Sequence, residues 1–293
     1  MSSFLKSIIP MGILLTVISC GNNVNPSHSP TAYDKLGAAQ GNLRLIVTDA
    51  PFSYAKVASA KVVINNVEVK STADVPSSLL GQPVSVDLVK LQNGLVSVVV
   101  DLNLPAGQYK ELNLISDSGS IDLVSGAHYN LKIPSGTSSG LKVKIDPPIT
   151  ITTQASTDIL LDIDLSRSFV PQGDSKDEST ITGFTFKPVA RAANMTTAGT
   201  LAGKVSSDNG TADTSDDMKL AGAVISVSQS GMVFSTAVAD ENGNYKLIGL
   251  PAGTYSLVIS SEGYTSSTAV DVSITAGNVT TADDVLLAKM PTP

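Results

Sequence analysis

The sequence predicts an all-β protein built as two β-sandwich domains, and three observations carry that expectation. From Gly41 onward no stretch sustains the i, i+3, i+4 apolar spacing of an amphipathic helix. Short runs alternate apolar and polar residues with the period of two expected for half-buried strands, and clusters of Gly, Pro, Asn and Ser separate them. One punctuation mark occurs once in each half: Leu104-Pro105-Ala106-Gly107-Gln108-Tyr109 and Leu250-Pro251-Ala252-Gly253-Thr254-Tyr255. Of the 293 residues 42% are apolar and 15% charged, enough apolar surface to bury a core. A single Cys and two His exclude a disulfide framework and a Cys/His zinc cluster. The net charge of −7 leaves no surplus of Lys and Arg to neutralise phosphates, so nucleic acid is excluded as a partner.

Residues 1–19 read as a signal peptide. Lys6 precedes an apolar run, Ile8 to Ile18, too short to span about 30 Å of hydrocarbon as a helix but of the length of a secretory h-region. Val17-Ile18-Ser19-Cys20 resembles the lipobox of bacterial lipoproteins, in which cleavage leaves the cysteine first and acylated. Cys20 is the only cysteine and ends the apolar run after a small residue, so it is the expected lipidation site. A single acyl chain holds only reversibly, which is why two or three are needed for stable anchoring. Cleavage removes Lys6 and takes the charge from −7 to −8. Gly21, where an Asp would by analogy retain a lipoprotein in the inner membrane, favours the outer membrane of the bacterial envelope. Residues 20–40 lack apolar periodicity and read as the lipidated, flexible tether, with His28 a solvated member of it.

Strands follow in order. Leu43–Val47 opens the series, and Lys61–Lys70 alternates cleanly in its second half. Val84–Leu88, Glu111–Ile115 and Leu141–Ile145 continue it, with one helical turn allowed in Leu88–Val100. Short runs at this spacing predict antiparallel sheets packed as sandwiches. Small and polar residues over Arg191–Gly199 interrupt the pattern and mark a boundary. Residues 41–197 carry 15 acidic and 13 basic residues, residues 200–293 carry 10 and 4, so charge changes there too. In the repeated motif Pro fixes φ and Gly permits a tight turn. Tyr109 and Tyr255 then enter the next strand with the ring on the core and the hydroxyl near backbone, as in a tyrosine corner. That structural role explains every residue of the motif and is preferred over sugar binding by these rings.

Two resemblances rest on these residues. Gly199–Val205, Leu220–Val227, Ala239–Tyr245, the second Tyr corner, Gly263-Tyr264 and Val272–Val279 resemble, in order, a carboxypeptidase regulatory-like domain of the prealbumin type, expected over 199–290. The resemblance implies a Greek-key, prealbumin- or Ig-like sandwich, non-catalytic and grouped with carbohydrate-binding, starch-binding-like folds. The departure is Ser206–Lys219, where the family has a short turn. Val47–Pro51, the first Tyr corner, Leu161–Phe169 and Phe186–Val189 make residues 41–191 similar to DUF4382, an uncharacterised family of bacterial lipoprotein ectodomains that implies no activity.

Chemistry-bearing constellations are few. A Ser-His-Asp triad would have to use His128, the one histidine of the folded region, and no G-x-S-x-G elbow accompanies it. On the strand Asp158–Leu165 one face carries Ile159, Leu161, Ile163 and Leu165, and the other Asp158, Leu160, Asp162 and Asp164, with like positions about 6.6–7 Å apart. Carboxylates so placed repel unless compensated. One reading is a structural Ca²⁺ site of Asp49, Asp162 and Asp164. The preferred one is a solvated face or a carboxylate–Arg pair, with Arg167 at hand. Asp208, Asn209, Asp213, Asp216 and Asp217 do not have EF-hand spacing and read as an acidic loop. No cofactor motif is present. The expectation is a lipid-anchored, non-catalytic structural or adhesive module that holds envelope proteins. The alternative is carbohydrate binding through the second domain.

Overall fold

In the computed structural model, residues 39–50, 57–133, 140–174, 177–208 and 217–290 are described. The signal peptide, Cys20 and nearly all of the tether lie outside them. Period-two burial turns the predicted runs into strands. In β2 (Val57–Ser71), for example, Val62, Ile64, Val67 and Val69 point into a core and the residues between face outward.

Among the described residues, twelve strands form the first sandwich. The smaller sheet has the order β12 (Ala190–Asn194), β9 (Ser156–Asp164), β1 (Gln40–Ala50), β5 (Ser97–Pro105). The larger runs β10 (Phe169–Gln172), β11 (Gly183–Phe186), β7 (His128–Lys132), β6 (Gly107–Leu123), β2, β3 (Pro76–Ser78). Here β4 (Val84–Asp87) joins β2 and β8 (Leu141–Ile151) joins β6. Leu43, Leu45, Ile64, Leu112, Ile149, Leu161 and Phe184 from both sheets enclose one core. The helical turn allowed in Leu88–Val100 is a 3₁₀ turn at Leu88–Leu91, whose i, i+3 leucines are both buried.

Among the described residues, nine strands form the second sandwich. One sheet centres on β13 (Ala198–Asp208), flanked by β14 (Met218–Lys219), β17 (Asn244–Pro251), β20 (Val279–Thr281) and β21 (Val285–Ala288). The other has the order β16 (Met232–Val238), β15 (Val224–Gln229), β18 (Gly253–Ser260), β19 (Val270–Ile274). Leu201, Val205, Ile225, Tyr245, Leu250 and Tyr255 lie in its core.

Two expectations need correction. The sheets are not purely antiparallel: β1 runs parallel to β9, β7 to β11, and β13 to both β20 and β21. The near-continuous apolar run Ile159-Leu160-Leu161 in β9 is the mark of a strand covered on both faces, and Leu160 is fully enclosed. Nor does Arg191–Gly199 simply interrupt the strand pattern. Arg191–Asn194 belongs to β12 and pairs with β9, and a turn at Met195–Thr197 leads straight into β13. The small residues there are required by packing. Ile46, Leu160, Ala193 and Ala198, with Met195 and Ile248, form a separate small core where the two sandwiches meet. Ala38–Pro293 packs as one compact unit.

Candidate functional site

The junction between the sandwiches gathers the chemistry that the sequence spread along one strand. Because β9 presents alternate residues to opposite faces, Leu160 and Asp162 look away from the first core and toward the second sandwich. Asp162 has only 8% of its side chain exposed, and its Oδ2 receives Arg191 Nη2 at 2.6 Å. The same guanidinium donates to the carbonyls of Gly249 (2.6 Å) and Ile248 (3.2 Å), reaches Ser235 Oγ at 3.4 Å and lies 5.0 Å above the Phe234 ring. One residue of the first sandwich thus holds a carboxylate of its own sheet and two carbonyls, a hydroxyl and a ring of the second. A planar fork of five donors permits that; an ammonium does not. Gly249 has φ +71°, and a Cβ there would stand 2.4 Å from Leu160 Cδ2, so only glycine lets β17 approach β9 this closely.

The other sequence-predicted carboxylates also find guanidinium partners. Asp158 pairs with Arg44 at 2.8 Å. The strand ends one residue earlier than expected, because Asp164 caps a single helical turn, α1 (Leu165–Ser168), accepting from Arg167 N at 3.0 Å and Arg167 Nε at 2.7 Å. Asp162 and Asp164 line one cavity of about 190 Å³ together with Arg167, Arg191, Phe234 and Ser235. The positive charge this face demands is therefore supplied by arginines. Asp49 pairs through its backbone with Ile163, and its side chain lies outside the described residues. Among the described residues no group of three or more His, Cys, Asp or Glu is placed to hold a metal ion. Asn209, Asp213 and Asp216 of the acidic insert also lie outside the described residues.

His128 sits at the start of β7 with its Nδ1 2.6 Å from Asp122 Oδ1 and more than half of its side chain exposed. The hydroxyl of the neighbouring Ser125 donates to Glu178. The Tyr corners are built as the motif predicts: Tyr109 donates to the Pro105 carbonyl at 2.9 Å and Tyr255 to that of Pro251 at 3.0 Å, with both rings buried.

A cleft of about 690 Å³ opens along one side of the second sandwich, between β19 and the β20–β21 segment. Leu257, Val272 and Leu287 form its apolar floor, and Asp271, Asp283 and Asp284 stand exposed along it. No aromatic residue lines it. The sequence reading missed both this cleft and Arg191. Arg191 left one trace, as the only charged residue in an otherwise small and polar boundary; the cleft left none, since Asp271 and the pair Asp283-Asp284 fall in separate segments that no local pattern brings together.

The architecture is that of an all-β chain of two sandwiches joined through a buried Arg–Asp contact. The chain belongs to the family described as a domain of unknown function, DUF4382, which matches residues 40–188. A carboxypeptidase regulatory-like domain matches residues 200–288. No curated protein matches the chain. Solved structures similar to it include the Bacillus anthracis TIE protein, at 14% identity and a TM-score of 0.26, covering 86% of this chain and 34% of that one. The chain thus spans about a third of that protein's length. GBS52, the minor pilin of Streptococcus agalactiae, is 12% identical with a TM-score of 0.26, covering 85% of this chain and 97% of that one. The shaft pilin SpaA of Lactobacillus rhamnosus GG is 11% identical with a TM-score of 0.28, covering 87% and 99%.

Proposed function

We propose that the chain is a non-catalytic, lipid-anchored protein of the bacterial cell envelope that works as a structural or adhesive binding module, tethered through Cys20 and resident in the outer membrane. The observation that carries this reading is the junction. An enzyme that closes on a substrate between domains needs a hinge, whereas Arg191 bonds to both sandwiches and Leu160 is enclosed between them. Such a joint suits a rigid body that presents the surfaces of its two sandwiches at a fixed distance from one another. Carbohydrate binding through the second sandwich is the weaker reading, because its large cleft lacks an aromatic platform for a sugar ring.

Detergent phase separation of cells expressing the full chain tests the anchor: the wild type partitions with detergent and Cys20→Ser moves to the aqueous phase. Unchanged partition of the variant overturns it. Recovery of an envelope protein by the purified chain, with a flat glycan array, supports the binding role; the reverse pattern moves the function to carbohydrate.

A further inference from the structure

We propose that the cleft of the second sandwich docks an extended, basic peptide segment of a partner protein, added as a strand to the edge of β19. This deepens the binding-module reading and rests on it. Among the described residues β19 is the last strand of its sheet and pairs only with β18. Thr280 Oγ1, across the cleft on β20, donates to the Ser273 carbonyl at 3.1 Å, so the backbone of Ser273 faces away from β18. In an antiparallel pair, residues alternate between facing their partner with both N–H and C=O and facing away with both. Asp271, two positions earlier, therefore turns its N–H and C=O toward the cleft as well. The Ser273 carbonyl is taken by Thr280, so the open stretch of this edge is at Asp271, and an open strand edge is a template for another strand.

The walls say what kind of strand fits. An added strand presents alternate side chains to its two faces. One set would meet the floor of Leu257, Val272 and Leu287, extended at the rim by Val270 and Leu286, which are 51% and 49% exposed. The other set would meet Asp271, Asp283 and Asp284, and none of the residues lining the cleft is Lys, Arg or His. A strand alternating apolar residues with Lys or Arg complements both. The same edge of a second copy does not, since residues 200–293 carry 10 acidic and only 4 basic residues and like edges would repel.

Fluorescence anisotropy on the purified full chain tests the proposal, with labelled ten-residue peptides as probes. A peptide alternating Lys and Val binds saturably. The same peptide with every second Val replaced by Pro, which cannot pair along an edge, binds at least tenfold more weakly, and a Glu–Val peptide does not bind. The triple variant Asp271→Asn, Asp283→Asn, Asp284→Asn, whose changes are all at exposed positions, keeps the wild-type melting temperature and weakens binding at least tenfold. Equal affinity for the Pro-containing peptide, or for the triple variant, overturns the proposal, as does concentration-dependent self-association through this edge in sedimentation. A chain that stays with the detergent phase yet binds no peptide overturns this inference alone; one that binds peptide yet ignores Cys20→Ser overturns the anchoring alone.

Discussion

The phenol hydroxyls of Tyr109 and Tyr255 each reach the carbonyl of a proline four residues upstream, whereas the equally buried hydroxyl of Tyr245 has no hydrogen-bond partner. The three should therefore respond differently to loss of that one oxygen. Tyr109→Phe and Tyr255→Phe each lower stability by about 1 kcal/mol in urea unfolding, the net worth of a hydrogen bond, while Tyr245→Phe leaves it unchanged or raises it. A drop for Tyr245→Phe as large as the other two contradicts this. Burial, reinforced by the negative charge of Asp284, pushes the Tyr245 phenol from 10.0 up to about 12. Burial also raises Tyr255, against the opposing charge of Arg191. The unfolded chain gives up these protons first, so the stability they carry is complete below pH 10 and drains away as pH rises toward 12. Urea midpoints measured across that interval should fall steeply for the wild type and less steeply for Tyr245→Phe.

Between β16 and β17 the chain reverses at Asp240–Gly243, and the turn is held by one carboxylate. Asp240 accepts from Asn242 N at 2.8 Å, Asn244 N at 2.9 Å and Asn244 Nδ2 at 3.3 Å, while Gly243 takes φ +76°. Desolvation works against the charge, but those donors and Lys219 outweigh it and hold the carboxyl below its ordinary value. A lowered carboxyl contributes stability that is present above the usual carboxylate range and lost as pH falls through the lowered value. Asp240→Ala should thus cost about 1 kcal/mol at neutral pH, with the gap to wild type closing in acid; a gap constant with pH would place the effect elsewhere. Both Tyr corners were legible in the sequence, because local backbone chemistry fixes them; Asn242-Gly243 reads there as a hairpin turn, but β16 and β17 lie in different sheets and do not pair. The parallel pairing of β1 with β9 was not legible, since no short-range signal states which distant strand arrives alongside. Nor was the partner of Asp162. The strand pattern put Asp162 on the correct face, but its guanidinium lies 29 residues on, in a stretch whose small residues read as a linker. The cleft acids gather only once β19 and β21 take their places in different sheets.

Across the whole molecule the decisive residue is Arg191. Arg191→Ala leaves the Asp162 carboxylate enclosed without its counter-charge and frees two carbonyls of the second sandwich. Removing one partner of a buried pair costs about 3–5 kcal/mol, and partial exposure of the guanidinium puts this one at about 3. In calorimetry the wild type should melt as one unit and the variant as two. Arg191→Lys should not restore the single transition, because three donors on one nitrogen cannot serve a carboxylate, two carbonyls and a ring together. A single unshifted transition in Arg191→Ala would show that the small apolar core of Ile46, Leu160 and Ala193 joins the sandwiches unaided.

The close approach at Gly249 bears on how freely such beads can be exchanged. Carboxypeptidase regulatory-like modules grafted after this first sandwich would seat only if they brought a residue without a side chain to the spot above Leu160, and a hydroxyl and a ring to meet the guanidinium. Shuffling in nature or at the bench is then a lock-and-key matter. A foreign bead lacking those three features would swing loose on the short Met195–Thr197 connector, even though it folded perfectly well by itself.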